Sequence, residues 1–433
     1  MENPIDFLKR PIAVVGMGLS GEAAKRLLLV NRVKPLDLVT FDDKPGNADY
    51  CDPQKLLEEK KPQTLVVSPG VPLAKEWIQD AKERGALITS ELALGLHFLT
   101  SEKIIGVTGS VGKSTTVSLL EAGLKAFSPH SFVGGNIGRP LADYVADMLE
   151  RKRNRAPWIV LELSSYQLEN CGNLHCEFSS LTYLTPNHID RYPSLEAYYD
   201  QKWQLVGRTN KSLILNQHGG DLGKYARGRK AEPELLWTDQ NDEELVPYEL
   251  QDAKLLGSHN QDNIALAAKI AREAGWPPEA FEGMKNFPGL PHRMENLGLR
   301  QKIRFVNDSK ATTMDSVKTA ALGLYEQMDR KMQLVLLLGG KDKDLPWSEL
   351  NELKKIQKLR PIFFGAVGEK AKALSGLEGE VFPKLKDAIA ALHGIARPGD
   401  TVLLSPGGTS LDEFKNFEER GRFFAEGIRL AYP

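Results

Sequence analysis

Short apolar runs ending in small residues alternate with longer amphipathic stretches along the whole chain. This pattern predicts strand–helix–strand units and parallel sheets. In the first hundred residues the strand candidates are IAVVG, DLVTFDD, TLVVSPG and ALITS, with SGEAAKRLLLV and KEWIQDAKERG as helices between them. A polar stretch, Thr100-Ser101-Glu102-Lys103, precedes a fresh strand, IIGVTG, and marks the first boundary. WIVLELS and SLILN continue the middle region, which closes on the helical run HNQDNIALAAKIAREAG. The Pro/Gly-rich FPGLPHRMENLG reads as a second linker. From about Arg304 the alternation resumes with FVNDS, QLVLLLGG, PIFFGAV and TVLLSPGG, and SLDEFKNFEERGRFFAEGIRL reads as a terminal helix. The expectation is an α/β protein of three βα-type domains over residues 1–100, 101–296 and 297–433. The first and last would be Rossmann-like, and the central one a P-loop ATPase domain on a mostly parallel sheet.

Composition adds exclusions. Dividing 433 residues by a typical domain of about 150 also gives roughly three domains. Lys and Arg total 56 against 57 Asp and Glu, so the basic footprint that nucleic acid requires is missing. The 41% of hydrophobic residues suffices for a core in each domain. The cysteines, Cys51, Cys171 and Cys176, are odd in number and suit a reducing compartment; Cys171 and Cys176 read as core packing and not as a zinc site. The best apolar run, Leu334 to Leu338, is strand-sized and the N-terminus lacks a signal-peptide core, so a cytoplasmic location is expected.

Gly16-Met-Gly18-Leu-Ser-Gly21 follows a strand and opens a helix, with Asp42 a further 21 residues on, near the spacing of a ribose-binding acid. By itself it suits either a dinucleotide-type phosphate site or merely a tight strand-to-helix turn, and a nicotinamide oxidoreductase is one reading. Thr108-Gly109-Ser110-Val111-Gly112-Lys113-Ser114-Thr115 is more specific: backbone amides and a lysine at a helix start hold phosphate oxygens, and a hydroxyl holds Mg²⁺. Val107 stands where the usual first glycine of such a loop falls, so the working form is T-G-x-x-G-K-[ST]; the alternative is a Gly-rich turn with a surface lysine. Glu162 ends the strand WIVLE, where a carboxylate serves Mg²⁺ or caps a neighbouring helix. His188 suits a second cation or a structural role, and Lys202, among Tyr198, Tyr199 and Trp203, either snorkels to solvent or is modified.

TGSVGKST, ELSSYQLE, NHIDRY with Lys202 fourteen residues after His188, GSHNQDN, GLPHRME and NDSKATT resemble, in order, the motifs of the Mur ligase family, over essentially the whole chain. SPGGTSLDEFKNFEERG and LLGGKDKD are similar to the motifs of the member that adds D-glutamate, and the DNPR box of the siblings that add a diamino acid is absent. Val111 departs from the usual Asn, and SPGG from SPAC. The resemblance implies ATP-dependent addition of D-glutamate to UDP-N-acetylmuramoyl-L-alanine through an acyl phosphate, in cytoplasmic peptidoglycan precursor synthesis. It implies two Mg²⁺ ions, a CO₂-derived carbamate on Lys202, small-molecule partners only, and a monomer. Gly18, Leu19, Ser20, Asp42, Asp43, Ser68, Pro69, Gly70 and Asn136, with His188, would meet the UDP substrate. Gly109 to Thr115, Asn263, Arg293 and Asp308 would meet ATP. Lys310, Thr312, Lys343, Ser410, Leu411 and Phe417 would surround D-glutamate. Ser114, Glu162, His188 and Lys202 would hold metal, with Lys113, Glu162, His188 and Lys202 carrying the chemistry. Rival readings are a folylpolyglutamate-type or sibling ligase, the oxidoreductase, and a non-catalytic nucleotide switch.

Overall fold

The structure, a computed structural model of the chain, describes residues 5, 7–186, 191–255, 257–342 and 344–433, with Ser258 and His259 described by backbone alone. Three sheets carry it. The first holds β1 (Ile12–Val15), β2 (Leu38–Phe41), β3 (Thr64–Val67) and β4 (Leu87–Thr89), parallel throughout, in the order β2-β1-β3-β4. β1, β2 and β3 are buried along their whole length, because helices cover both faces of a parallel sheet. Val15 lies opposite both Phe41 and Val67, so Gly16, Asp42 and Ser68 emerge side by side at the C-terminal edge. Chain order reverses there, between β1 and β3, which is where such sheets open a ligand crevice.

The second sheet holds β5 (Lys103–Thr108), β6 (Phe132–Gly135), β7 (Trp158–Glu162), β8 (Cys176–Leu181), β9 (Thr209–Asn216) and β10 (Glu234–Thr238). Their order is β10-β9-β8-β5-β7-β6, again all parallel. Glu162 is in register with Val107 of β5 on one side and Gly135 of β6 on the other. The edge strands β6 and β10 and the central β8 escaped the sequence reading, being short or interrupted by glycine, serine or charge. Both sheets belong to one compact unit, Met1–Glu249 with Asn263–Met284, and a single core cluster runs from Leu27 and Leu28 to Leu141, Tyr144 and Val145. Cys171 and Cys176 are buried in that same cluster, as expected.

The third sheet belongs to the other unit, Leu250–Asp262 with Lys285–Pro433. It holds β11 (Glu295–Arg300), β12 (Ile303–Asn307), β13 (Leu334–Gly339), β14 (Leu359–Phe364), β15 (Glu380–Phe382) and β16 (Thr401–Gly407) in the order β11-β12-β16-β13-β14-β15. All pairs are parallel except β11 with β12. β11 corrects the sequence reading, which put residues up to Gly298 in a linker. Its hairpin turn is Gln301-Lys302, with φ of 50° and 63°. Such turns are usually announced by Asn-Gly or Asp-Gly, so two long polar side chains there hide the signal. The terminal helix also starts later than expected, at Phe417 and not Ser410, because the Asn416 side chain accepts from Glu419 N and fixes the start.

Candidate active site

At the C-terminal edge of the first sheet, a cleft of about 370 Å³ is lined by Gly18, Leu19, Ser20, Asp42, Ser68, Pro69, Gly70 and Asn136. These are eight of the residues expected at the UDP substrate. Asp43 is not among them: its carboxylate is mostly exposed and pairs with Lys75 at 2.7 Å. Asp42 is tied into the turn itself, accepting from Met17 N at 2.7 Å and Lys44 N at 2.9 Å. Those bonds hold its carboxyl below the ordinary range. Gly16, Val71, Gly135, Gly138, Pro140 and Gln167 complete the lining, and the sequence reading assigned none of the last five to it.

The phosphate-type turn follows β5, and the helix Lys113–Phe127 begins with the lysine. Gly112 has φ of 87°, and a Cβ there would come within 2.6 Å of Asn263 Oδ1. At Gly109 a Cβ would collide with Thr182 Oγ1, so both positions require glycine. Thr182 braces the loop by donating to Val111 O, and Tyr183 O accepts from Ser110 N at 2.7 Å. Asn263, expected near ATP, accepts from Thr116 at the same helix start. The Lys113 ammonium donates to Gly109 O at 2.8 Å and Ser110 O at 3.1 Å, lying along the loop that amides and the helix dipole make attractive to anions.

Glu162 is 2% exposed. Its Oε1 accepts from Asn136 Nδ2 at 2.8 Å, whereas Oε2 is buried without a hydrogen-bond partner. An orphaned buried carboxylate oxygen is costly unless something fills the position. With Ser114 buried at the helix start close by in sequence to Lys113, the donor set suits Mg²⁺, which takes one or two carboxylates and completes its shell with phosphate oxygens and water. Among the described residues no group of three or more His, Cys, Asp or Glu side chains could hold an ion by itself. His188 lies outside the described residues.

Lys202 does not snorkel. It sits in the last turn of the helix Leu195–Trp203 at 2% exposure, with its nitrogen 4.6 Å from the centre of the Tyr198 ring. Burial pushes its pKa down to about 6, the Lys113 charge pushes the same way, and Glu162 opposes. The three side chains are therefore electrostatic neighbours. Tyr198, one turn earlier on the same helix, also donates to Ser110 Oγ at 3.2 Å. Its four-residue spacing from Lys202 was the available signal, and the sequence reading did not use it.

In the second unit, β12 ends at Asn307 and delivers Asp308, Ser309 and Lys310. Asp308 accepts from Met294 N at 3.2 Å and Ser405 Oγ at 3.0 Å, and burial raises its carboxyl to about 7. Arg293 counters that rise. Lys310 lies 5.1 Å from the Phe417 ring centre, so two expected D-glutamate residues meet. Ser410 is buried, Thr312 half-buried and Leu411 exposed; Lys343 lies outside the described residues. Arg420, which the sequence did not point to, is fully buried. It donates to Ser309 Oγ, Ser309 O and Gly408 O at 2.8–3.1 Å, joining the β12 and β16 loops.

Residues 107–266 match the family described as the Mur ligase middle domain, and residues 292–408 match the Mur ligase, glutamate ligase domain. The chain is 33% identical to the UDP-N-acetylmuramoylalanine–D-glutamate ligase of Anaeromyxobacter dehalogenans (strain 2CP-C), covering 95% of this chain and 96% of that one. It is 32% identical to the protein of the same name from Myxococcus xanthus (strain DK1622) over the same shares. Among solved structures, the UDP-N-acetylmuramate-alanine ligase of Thermotoga maritima shares the fold with a TM-score of 0.57, at 13% identity over 98% of this chain and 100% of that one. Carrying the phosphate turn, the carboxylate beside it and relatives that align almost end to end, the chain belongs to the Mur ligase family.

Proposed function

We propose that this chain is an ATP-dependent ligase that joins D-glutamate to UDP-N-acetylmuramoyl-L-alanine, with release of ADP and phosphate, in peptidoglycan precursor synthesis. The observation that carries the reading is the continuity between two anion-binding features of one unit. Asn136 lines the cleft after β1 and β3 and holds the carboxylate of Glu162 at the edge of the phosphate turn. A nucleotide-linked acid in the first feature and a triphosphate on the second would thus share a wall. The division at residues 1–100, 101–296 and 297–433 assigns one substrate to each part.

A carboxylate does not acylate an amine unaided, because oxide is a poor leaving group. The L-alanyl carboxylate attacks the γ-phosphorus of ATP; ADP leaves and an acyl phosphate forms. The uncharged amine of D-glutamate then adds to the acyl carbon, and the tetrahedral adduct expels phosphate and loses a proton. Both steps gather negative charge, so the protein acts mainly by positioning and by fixed positive charge. The amides of Gly109 to Thr115 and the Lys113 ammonium hold the β- and γ-phosphates. Glu162 and Ser114 would hold one Mg²⁺, and Lys202 with His188 would hold a second; when bound, such ions would neutralise charge at the transferring phosphoryl group.

Lys202 fits its role only after modification. With a pKa near 6 its amine is neutral at pH 7, the form that adds CO₂ and loses a proton to give a carbamate. That replaces a neutral amine by an anionic oxygen ligand matched to a hard metal. Lys310, Thr312, Lys343, Ser410, Leu411 and Phe417 recognise D-glutamate, whose two carboxylates call for cations and hydroxyls, while Asn263, Arg293 and Asp308 complete ATP binding. Among the described residues no helix is long and apolar enough to cross a membrane. By its resemblance to the family we assign the protein to the cytoplasm, as a monomer.

The test is phosphate release from purified protein with UDP-N-acetylmuramoyl-L-alanine, ATP, Mg²⁺ and a panel of amino acids. A response confined to D-glutamate supports the reading; turnover with L-alanine, a diamino acid or a folate substrate instead overturns it in favour of a sibling ligase.

A further inference from the structure

The helix Leu141–Leu149 starts at Pro140, which offers no capping side chain. The first amides of a helix need acceptors, above all where water cannot reach them. Here the acceptor comes from 51 residues upstream: Glu91 Oε1 accepts from Ala142 N at 2.6 Å, and the same carboxylate faces Leu141 N. Glu91 is 2% exposed and opens the short helix Glu91–Leu96, whose residues Glu91 to Gly95 are all buried. The approach is close, since a Cβ on Gly95 would come within 2.9 Å of Leu141 Cγ. Ser90 anchors this helix in turn, accepting from Ala93 N and donating to Asn170 O.

A second tie acts on the outer face of the same element. Arg26, on the helix Leu19–Val30, pairs with Asp143 at 3.0 Å, Asp147 at 2.6 Å and Glu150 at 2.5 Å. Leu19 and Ser20 open the Arg26 helix and line the cleft; Gly135, Asn136, Gly138 and Pro140 lead directly into the capped helix and line it too. The start of that second segment is held independently by β6–β7 pairing and by Asn136 N donating to Glu162 O. Gly138 and Pro140 flank Arg139, whose O accepts from Gly135 N at 2.9 Å, and the cap at Ala142 is the tie on their other side, so a loosened cap would shift them more than the groups beside the phosphate turn.

We infer that Glu91 is a positioning residue for the nucleotide-sugar substrate, capping the helix Leu141–Leu149 so that Gly138 and Pro140 stand at a fixed distance from Gly18 to Ser20. The inference rests on the reading of the cleft as the UDP-substrate site. Burial pushes the Glu91 carboxyl up to about 7, with Asp143 adding to the rise, so glutamine is a close mimic of its protonated form and keeps the acceptor oxygen. Aspartate keeps the carboxyl group and loses the reach.

Calorimetric binding of UDP-N-acetylmuramoyl-L-alanine and of ADP to the full-length wild type, Glu91→Asp and Glu91→Gln tests this. The aspartate variant should bind the UDP compound about tenfold more weakly, the equivalent of a lost helix cap, with ADP affinity unchanged. The glutamine variant should stay within about threefold of wild type for both ligands. Steady-state kinetics should show the aspartate effect in KM for the UDP substrate and not in kcat. Wild-type affinity in the aspartate variant, or equal weakening of both ligands, would overturn the inference alone. A wild type that binds ADP but no UDP compound would overturn the functional reading with it.

Discussion

Asn136 donates its side-chain N–H to Glu162 Oε1 at 2.8 Å while its backbone N–H donates to Glu162 O at 2.9 Å. One residue thus orients the carboxylate beside the phosphate turn and lines the neighbouring cleft, leaving Oε2 aimed and unpartnered. Asn136→Ala should free the carboxylate to rotate. The Mg²⁺ concentration giving half-maximal phosphate release should rise about tenfold, the usual cost of losing an orienting partner. An unchanged Mg²⁺ titration would show that Glu162 is not a metal ligand.

The Lys202 amine should leave a signature in stability. Its pKa is about 6 in the fold and 10.5 in an unfolded chain. Between those values the unfolded state binds more protons, so stability rises with pH across that window and the full burial cost is felt below it. Melting temperature should climb more steeply from pH 6 to pH 9 in wild type than in Lys202→Met, and the variant should be the more stable at pH 6. Parallel profiles in protein freed of CO₂, so that no carbamate forms, would mean that the amine is charged in the fold. In the ligase assay, Lys202→Met should be inactive while still binding the UDP substrate.

The phosphate turn has no room for a methyl group. Gly112→Ala combines an unfavourable positive φ with a contact on Asn263, and should lower ATP-dependent turnover by about a hundredfold or more through displaced loop amides. Lys113→Ala should match it in rate with little change in melting temperature, because the half-buried ammonium donates to the loop carbonyls Gly109 O and Ser110 O. Turnover near wild type in either variant would reject the seat of the triphosphate.

Arg420 is a structural commitment of the second unit. Replacing it by Met would leave Ser309 O and Gly408 O buried without their donor, at a cost of about 3 kcal/mol. Urea denaturation followed by fluorescence should show an early transition in that unit, and KM for D-glutamate should rise, since Ser309 precedes Lys310. A variant that denatures with wild type would mean the loops hold without the guanidinium.

The sequence by itself determined the alternation of strands and helices and the glycine turns, and it offered Lys113, Glu162 and Lys202 as candidates for the chemistry, because local patterning and short motifs are written in contiguous residues. It also carried eight residues of the β1–β3 cleft through family resemblance. Register and burial were decided only by tertiary structure. Whether Lys202 snorkels depends on what packs above its helix, and the Gln301-Lys302 turn closes a hairpin that no turn signal announces. Glu91 and Arg420 are ordinary charged residues of amphipathic stretches until distant backbone groups come to rest against them. Partners 51 and 111 residues away are set by the packing of whole elements, which no local window of sequence contains.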